Sequence, residues 1–404
     1  MICEFGAVRE IDPVASSPTA DIDYAAHNAE QRAVWEAYYS RRPVRVPVVF
    51  TMNPRMIVLD PDLNEAGVTF QDYIGDPQIM METQLRYHHW RRHNVPGDWE
   101  MGMPEREWDP FYADWQNYQD AGWFGCEITA RDGMMPRNFP ILQKDKELLY
   151  GWRIPDDLLR GHMPEVYEFH LYALEHCPKV NFHRLPMAAP RPMLVNASHP
   201  WTTACDLRGT TELCIDIYED PDYVHLLMSF VTDATLARAK AWRRDCSMPV
   251  TADPSEPYPM ADDSIALLSP EAYREFILPY HLQIVREMGV VSGTAWHLCG
   301  AVQQHFETLV EELGAVSFDV GAPTDLADAR RRLGPGVQLL GNIDPVLLLR
   351  SSKDEIVARV RRAMACGVME GGRYIMREGS NVAPCTPVGN LLVMYEAGKQ
   401  AGSY

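Results

Sequence analysis

The chain has 404 residues, of which 46% are hydrophobic and 23% are charged, as in a folded rather than a disordered protein. Its 37 basic and 56 acidic side chains give a formal net charge of -19, which disfavours binding to nucleic acid or to an anionic membrane surface. The length allows two or three domains, or one large barrel.

Targeting signals and cysteine usage indicate the compartment. No apolar run approaches the roughly 18 residues that cross a bilayer. The N-terminal sequence MICEFGAVREIDP has acidic residues where a secretory signal would be basic and then apolar. Nine scattered cysteines, an odd number, do not resemble a disulfide framework. We therefore expect a cytoplasmic protein with reduced thiols, some of which are available to a metal.

Residues 1–190 are irregular and rich in aromatic side chains. Half of the ten tryptophans fall within 34 residues: Trp90, Trp99, Trp108, Trp115 and Trp123. Residues 76–92 predict a helix with Ile79, Met80, Leu85 and Tyr87 available for burial. The remainder predicts long loops or an inserted cap. Most tryptophans in proteins serve as packing groups. A loop-rich aromatic stretch can also form the wall of a pocket for a planar or hydrophobic ligand.

From about residue 190 onward, strands alternate with helices, most clearly after residue 290. The predicted strands are 290–298, 315–321, 337–344 and 373–379. The predicted helices are 301–314, which Gly314 ends, 324–333, 354–365 and 388–400. Four consecutive βα units at this spacing require parallel strands.

Earlier segments fit the same plan. Residues 192–198 predict a strand, and 210–242 predict two helices, the second beginning at Asp220 and Pro221. Ser269 caps a helix predicted over 269–289. Half of a doubly wound sheet would look similar locally, but no GxGxxG follows the first strand and no linker divides the last 200 residues. We predict one α/β domain, a (βα)8 TIM barrel with its main part in residues 191–404; residues 1–190 form an aromatic, loop-rich extension or cap with the first barrel elements.

Two of these predicted strands end in candidate site residues. Active sites of (βα)8 barrels lie at the carboxyl ends of the strands. His297 and Cys299 follow one strand at positions i and i+2, which point the same way in an extended chain and can converge on one metal ion. Asn342 and Asp344 end the strand 337–344 and offer an amide and a carboxylate.

The last predicted strand ends at Glu378, and Cys385 follows near a helix start, where a thiol pKa is depressed. Each signal also has a structural interpretation: the thiols can be packing groups, and Asp344 before a proline can cap a helix. Polar groups at three adjacent strand ends together indicate a site. Our candidates are His297, Cys299 and Cys385 for metal binding, and Asn342, Asp344 and Glu378 for catalysis.

Four segments resemble the uroporphyrinogen decarboxylase superfamily, in particular its zinc-containing, corrinoid-linked methyltransferase branch. They are SPEAYREFILPY (269–280), WHLCG (296–300), GNIDP (341–345) and PCTPVGNL (384–391), with a weaker match at TTACDLRG (202–209). The resemblance covers roughly residues 190–404. It implies a single (βα)8 barrel and a zinc ion held by His297, Cys299 and a later cysteine.

Two departures from the family pattern matter. The decarboxylases carry an arginine-rich motif near the N-terminus that grips porphyrin carboxylates, and residues 46–60 contain no such run, which disfavours porphyrin decarboxylation. The later zinc-binding cysteine of the methyltransferases aligns with Ser380, although Cys385 lies nearby. The third ligand stays open among several residues: Cys385, Ser380, Asp262, Asp263 and Glu378.

The resemblance implies a zinc-dependent methyltransferase that exchanges a methyl group between a small methylated substrate, or a thiol, and a corrinoid protein. No DxHxxG run occurs, so we expect a partner protein to supply the corrinoid (cobalamin). The aromatic N-terminal stretch favours a methoxylated aromatic over methanol. Two alternatives stay open: a decarboxylase of the same superfamily, and a non-catalytic ligand-binding barrel in which His297 and Cys299 are structural. Homodimerisation is also left open.

Overall fold

Helices make up much of the chain before residue 190, where we expected long loops. The computed structural model describes residues 21–115, 119–131 and 134–404. The helices of this first part are α1 (Tyr24–Tyr39), α2 (Arg55–Val58), α3 (Phe70–Gly75), α4 (Pro77–Asn94), α5 (Gln119–Phe124) and α6 (Met163–His176). A short antiparallel hairpin joins β1 (Glu127–Thr129) to β2 (Arg137–Phe139). The pattern of apolar residues did not predict α1, because two of its four buried side chains, His27 and Gln31, are polar.

Helix α4 matches the predicted helix and extends two residues beyond it. The Asp76 carboxylate accepts hydrogen bonds from the first backbone N–H groups, which fixes its start. Met80, Leu85 and Tyr87 are buried as predicted, whereas Ile79 is only half-buried.

Packing is the observed role of the clustered tryptophans. Four of the five are buried and Trp99 is partly buried, packed against the same core. That core is one hydrophobic cluster that draws on residues from both sides of position 190.

The rest of the chain is a parallel sheet with helices between its strands. The strands are β3 (Tyr258–Met260), β4 (Thr294–Leu298), β5 (Ala315–Val320), β6 (Gln338–Ile343) and β7 (Tyr374–Glu378), paired in chain order. Its helices are α7 (Pro200–Arg208), α8 (Thr210–Glu219), α9 (Pro221–Asp245), α10 (Pro270–Phe276), α11 (Leu278–Glu287), α12 (Phe306–Leu313), α13 (Leu326–Leu333), α14 (Pro345–Arg350), α15 (Lys353–Ala365) and α16 (Val388–Ala401). All four strands predicted after residue 290 are confirmed.

Extended segments lie against both edge strands. Residues 47–49 run beside β7, where the Met376 N–H donates to the Pro47 carbonyl at 2.9 Å. The predicted strand over 192–198 is wrong: the segment contacts the end of β3 through a bond from the Ala261 N–H to the Ser198 carbonyl at 3.2 Å, without forming a ladder. Five parallel strands in chain order, alternating with helices, form an α/β architecture that is consistent with the predicted TIM barrel.

Local signals explain most helix boundaries. Gly314 ends α12 in the left-handed conformation with φ at 60°, and Asp220 caps α9. The helix predicted over 269–289 is capped by Ser269 but is divided into α10 and α11 at Ile277. Pro279 explains the division, because it lacks the N–H that would continue the helical hydrogen bonds. Within the described ranges, no helix has both the length and the apolar composition needed to cross a bilayer.

A buried carboxylate ties the N-terminal part to the sheet. Both carboxylate oxygens of Asp98 accept hydrogen bonds from Arg45 at 2.7 Å, and one also accepts the Val48 N–H at 2.6 Å. The Tyr395 hydroxyl of α16 donates to Asp98 at 3.3 Å. Since Val48 pairs with β7, Asp98 connects the segment after α4, the edge of the sheet and the last helix.

We expect Asp98→Ala to lower the free energy of unfolding by about 3–5 kcal/mol, because it leaves the Arg45 guanidinium buried without its main partner. Denaturant unfolding measures this loss. The control is Glu30→Ala, which removes a carboxylate that also pairs with Arg45 but is 43% exposed; its cost should stay below about 1 kcal/mol. Similar losses in both variants would show that burial of Asp98 does not govern this connection.

Candidate metal centre and its cavity

Neighbouring strands place His297 beside a carboxylate. In the parallel register, His297 of β4 lies opposite Asp319 of β5, and its Nδ1 is 2.6 Å from Asp319 Oδ2. The other ring nitrogen, Nε2, is 3.0 Å from Cys299 Sγ. A carboxylate on one nitrogen fixes the ring orientation and directs the second nitrogen toward a common point with the thiol.

Asp263 completes a group of three potential metal ligands. It begins the 3-10 helix Asp263–Leu267 just after β3, and its Oδ1 accepts the Cys299 N–H at 2.6 Å. One donor atom each from Asp263, His297 and Cys299 lies within 4.8 Å of the others. Nitrogen, sulfur and carboxylate oxygen are the donors that zinc takes in proteins.

Of the two alternative ligands in the last loop, the structure brings Ser380 to the group and not Cys385. The Ser380 hydroxyl lies 3.4 Å from Cys299 Sγ. Cys385 is exposed, and its thiol faces the Leu59 carbonyl at 3.7 Å. The expected depression of its thiol pKa is also wrong: partial burial and the nearby Asp60 and Asp62 carboxylates raise it.

The side chains of Asn342 and Asp344 form hydrogen bonds with backbone groups instead of lining the site. Asn342 is buried at the end of β6, where its amide donates to the carbonyls of Gly321 and Thr324 and accepts from Arg359 at 2.9 Å. The Asp344 carboxylate caps α14 by accepting the Val346 N–H at 2.8 Å. Their side chains therefore set the loop after β5 and the start of a helix.

Arg377 and Asp319 form a charged layer beneath the metal group. Arg377 of β7 donates to Asp319 Oδ2 at 2.6 Å, so this carboxylate is shared between an imidazole and a guanidinium. Burial alone would lower the pKa of His297, but hydrogen bonds to Asp319 and Cys299 raise it to about 10. A metal ion at His297 must therefore displace a proton.

Glu378 is buried behind this layer. One oxygen accepts the Thr51 N–H at 3.0 Å and an Arg377 N–H at 3.2 Å. The other oxygen, Oε2, has no hydrogen-bond partner in the part of the chain that the structure describes. Burial raises the Glu378 pKa to about 7. Glu378 is thus adjacent to the charged layer without lining the cavity.

Backbone contacts fix the loops around Cys299. A Cβ atom added to Gly321 would lie 1.7 Å from the Cys299 carbonyl oxygen, and one added to Gly379 would lie 2.4 Å from the Ala322 nitrogen. Only glycine allows these approaches. The loop after β5 is therefore packed directly against the backbone of Cys299, and the loop after β7 is packed against the loop after β5.

The metal group opens into a cavity of about 450 Å³. Its apolar lining is aliphatic: Leu194, Val195, Pro259 and Ala261. A second set of lining residues is ionisable: Asp120, His199, Asp206 and Arg238. Among the described residues that line it, none is Phe, Tyr or Trp, so the expected aromatic wall is not found here.

Asp263 was one of the candidates for the third ligand, whereas sequence reasoning missed Asp319, Arg377 and the ionisable set. Asp319 and Arg377 gave a usable signal, because a charged residue inside an otherwise apolar predicted strand must face a partner. Asp120, His199 and Arg238 gave none, since they come from three helical regions that only the tertiary fold brings together.

Comparisons with known proteins identify relatives. A family model described as uroporphyrinogen decarboxylase matches residues 121–401. The uroporphyrinogen decarboxylase of Xanthomonas campestris pv. campestris (strain B100) is 32% identical over 289 residues, 68% of this chain and 78% of that protein. That of Coxiella burnetii (strain RSA 493 / Nine Mile phase I) is 29% identical over 257 residues, 61% of this chain and 67% of that protein. A solved methyltransferase from Methanosarcina mazei shares the fold, with a TM-score of 0.60 at 21% identity over 92% of this chain and 98% of that chain.

We expect Glu378→Gln to remove a pH-dependent loss of stability. The pKa of this carboxyl is raised on folding from 4.5 to about 7, so folding favours its protonated form. The folded state of the unaltered protein should lose stability, relative to the variant, as pH rises from about 4.5 through about 7. Denaturant unfolding at several pH values measures the difference. The exposed control Glu256→Gln should leave the profile unchanged, and a parallel pH profile for Glu378→Gln would contradict the assignment.

Proposed function

This chain belongs to the uroporphyrinogen decarboxylase family, and we propose that it is a zinc-dependent methyltransferase acting between a small methylated substrate and a corrinoid protein. One observation carries the proposal: the donor atoms of Asp263, His297 and Cys299 lie within 4.8 Å of one another in the wall of a cavity. The name of the structurally similar Methanosarcina protein, a methyltransferase, supports the same reaction class.

The donor set fits zinc. Three protein ligands and an open fourth position are typical of catalytic zinc sites. The carboxylate of Asp319 on His297 Nδ1 is the outer partner that metal-binding histidines usually have. We propose His297, Cys299 and Asp263 as the ligands, with the Ser380 hydroxyl adjacent; the Cys385 thiol instead faces the Leu59 carbonyl.

A zinc ion there would supply a Lewis acid that polarises a methyl ether oxygen or lowers the pKa of an entering thiol. The chain's own residues prepare that site. Asp319 and Arg377 hold the imidazole of His297, and the Cys299 backbone is held by Asp263. The aliphatic residues Leu194 and Pro259 present an apolar surface to the substrate and limit the water beside the reacting group.

The corrinoid is proposed to come from a separate protein. A cavity of about 450 Å³ is the size that holds a small ligand, whereas a corrinoid is much larger and would have to approach from outside. The partner would therefore dock around the mouth of the cavity. Such encounters are typically transient and use small interfaces.

Decarboxylation is the second candidate, because the curated relatives at 29–32% identity carry that name. A metal-free decarboxylase would work with ionisable side chains of the cavity, such as Arg238 and Asp206. Metal content and the requirement for a corrinoid distinguish the two reactions.

We expect the purified protein to hold about one zinc ion per chain. His297→Ala and Cys299→Ser should lose it, and Asp319→Ala should weaken zinc binding about 10- to 100-fold by releasing the imidazole. Elemental analysis and competition with a chelating dye measure both effects. Cys385→Ser is the matched control and should retain the metal. If both ligand variants retain zinc, the metal site lies elsewhere in the protein. Full activity without metal would contradict the proposed mechanism.

We expect the isolated chain to demethylate no substrate. Adding a reduced corrinoid protein, or free cob(I)alamin at high concentration, should start turnover of a methyl ether, because the methyl group then has an acceptor. Product analysis by chromatography follows the reaction, with His297→Ala as the inactive control. Release of carbon dioxide from a carboxylated substrate with no corrinoid present would favour the decarboxylase.

A further inference from the structure

Arg238 of α9 lines the cavity as a buried cation with unused hydrogen-bond donors. Its side chain has no exposed surface, and its Nη2 pairs with the Asp120 carboxylate. Its Nη1 and Nε have no partner among the residues that the structure describes. Buried charged donors are normally satisfied, so an acceptor belongs beside this guanidinium.

The surroundings of Arg238 favour a negatively charged acceptor. Asp120 is the shared partner of Arg238 and of His199, whose Nδ1 is 3.0 Å from the Ser198 hydroxyl. Burial lowers the pKa of His199, but the Asp120 carboxylate outweighs it and the pKa is raised. One carboxylate therefore serves two basic groups.

An aromatic ring packs against the guanidinium. The Arg238 Cζ atom lies 5.0 Å from the centre of the Trp123 ring, and this cation–π contact leaves the N–H edge of Nη1 and Nε without a hydrogen-bond partner among the described residues. Burial in a low-dielectric wall strengthens a hydrogen bond from that edge to an anion.

Two carboxylates of the cavity oppose an anion: Asp206 and, at the metal group, Asp263. Asp206 lines the same cavity, and burial raises its pKa to about 6, so it is largely ionised at neutral pH. Its charge would repel an anionic ligand without removing the unused donors of Arg238. Removing the Asp206 charge therefore tests anion binding in the cavity without changing Arg238.

We propose that Arg238 binds a carboxylate on the substrate while the methyl-bearing end of the same molecule lies at the metal group. Arg238, His297 and Cys299 line one cavity, so a small molecule can contact both ends. The substrate class is thus a methylated carboxylic acid, such as a methoxy acid. The identity of the reacting end rests on the proposed function, whereas the anion-binding role of Arg238 does not.

Paired probes test the charge preference. Calorimetric titration at pH 7.5 compares the binding of 4-methoxybenzoate with that of the neutral 4-methoxybenzyl alcohol. Each probe is titrated into two preparations of the full chain, one stripped of metal and one loaded with zinc. We expect the carboxylate to bind at least about tenfold more tightly, the size typical of a hydrogen bond to a charged group. Arg238→Met should abolish the preference, and Arg238→Lys, which keeps the charge, should retain part of it.

Asp206→Asn keeps the test valid if Arg238→Met does not fold. This substitution removes one opposing charge. It should tighten the binding of 4-methoxybenzoate several-fold and leave the affinity for the alcohol unchanged. Equal affinity of the unaltered protein for the two probes would overturn the inference, as would carboxylate affinities that neither Arg238→Met nor Asp206→Asn changes. An active zinc enzyme without the preference would refute only the role of Arg238. The preference in a protein that takes up no zinc would refute only the proposed function.

Discussion

The shared carboxylate of Asp319 is the interaction on which the site depends. Its Oδ2 atom accepts from both His297 and Arg377, and these three residues belong to three different strands. The parallel register fixes those strands relative to one another, so the imidazole is oriented before any ligand arrives. Without this carboxylate, the buried guanidinium would lose its ion-pair partner, and the imidazole would lose the hydrogen bond that orients it and raises its pKa.

Periodic parts of the chain could be predicted from the sequence, and parts assembled by tertiary contacts could not. The strands after residue 290 and the pair His297 and Cys299 follow from local spacing, because alternation along a strand is a local property. The placement of Cys385 depends on how the last loop folds over Leu59, which no spacing encodes. Residues 192–198 have strand-like composition, but their backbone meets β3 at a single hydrogen bond.

The cavity joins two parts of the chain with different physical character. The metal group comes from strand ends and their loops, held by charge pairs and backbone contacts. The ionisable set comes from helices, and Asp120 of α5 ties the N-terminal part to Arg238 of α9. The first part of the chain therefore contributes to the cavity, and its Trp123 packs against Arg238.

The glycine contacts around Cys299 have a consequence for how this protein can diversify. At Gly321 and Gly379, backbone meets backbone, so a side chain at Gly321 would displace the backbone of Cys299, and one at Gly379 would displace the loop that contains Gly321 and Ala322. The wall near Leu194 and Val195 is made of side chains, whose size can change without moving the backbone. Substitutions in the aliphatic wall can therefore change which ligand fits the cavity while the backbone at the strand ends keeps its geometry.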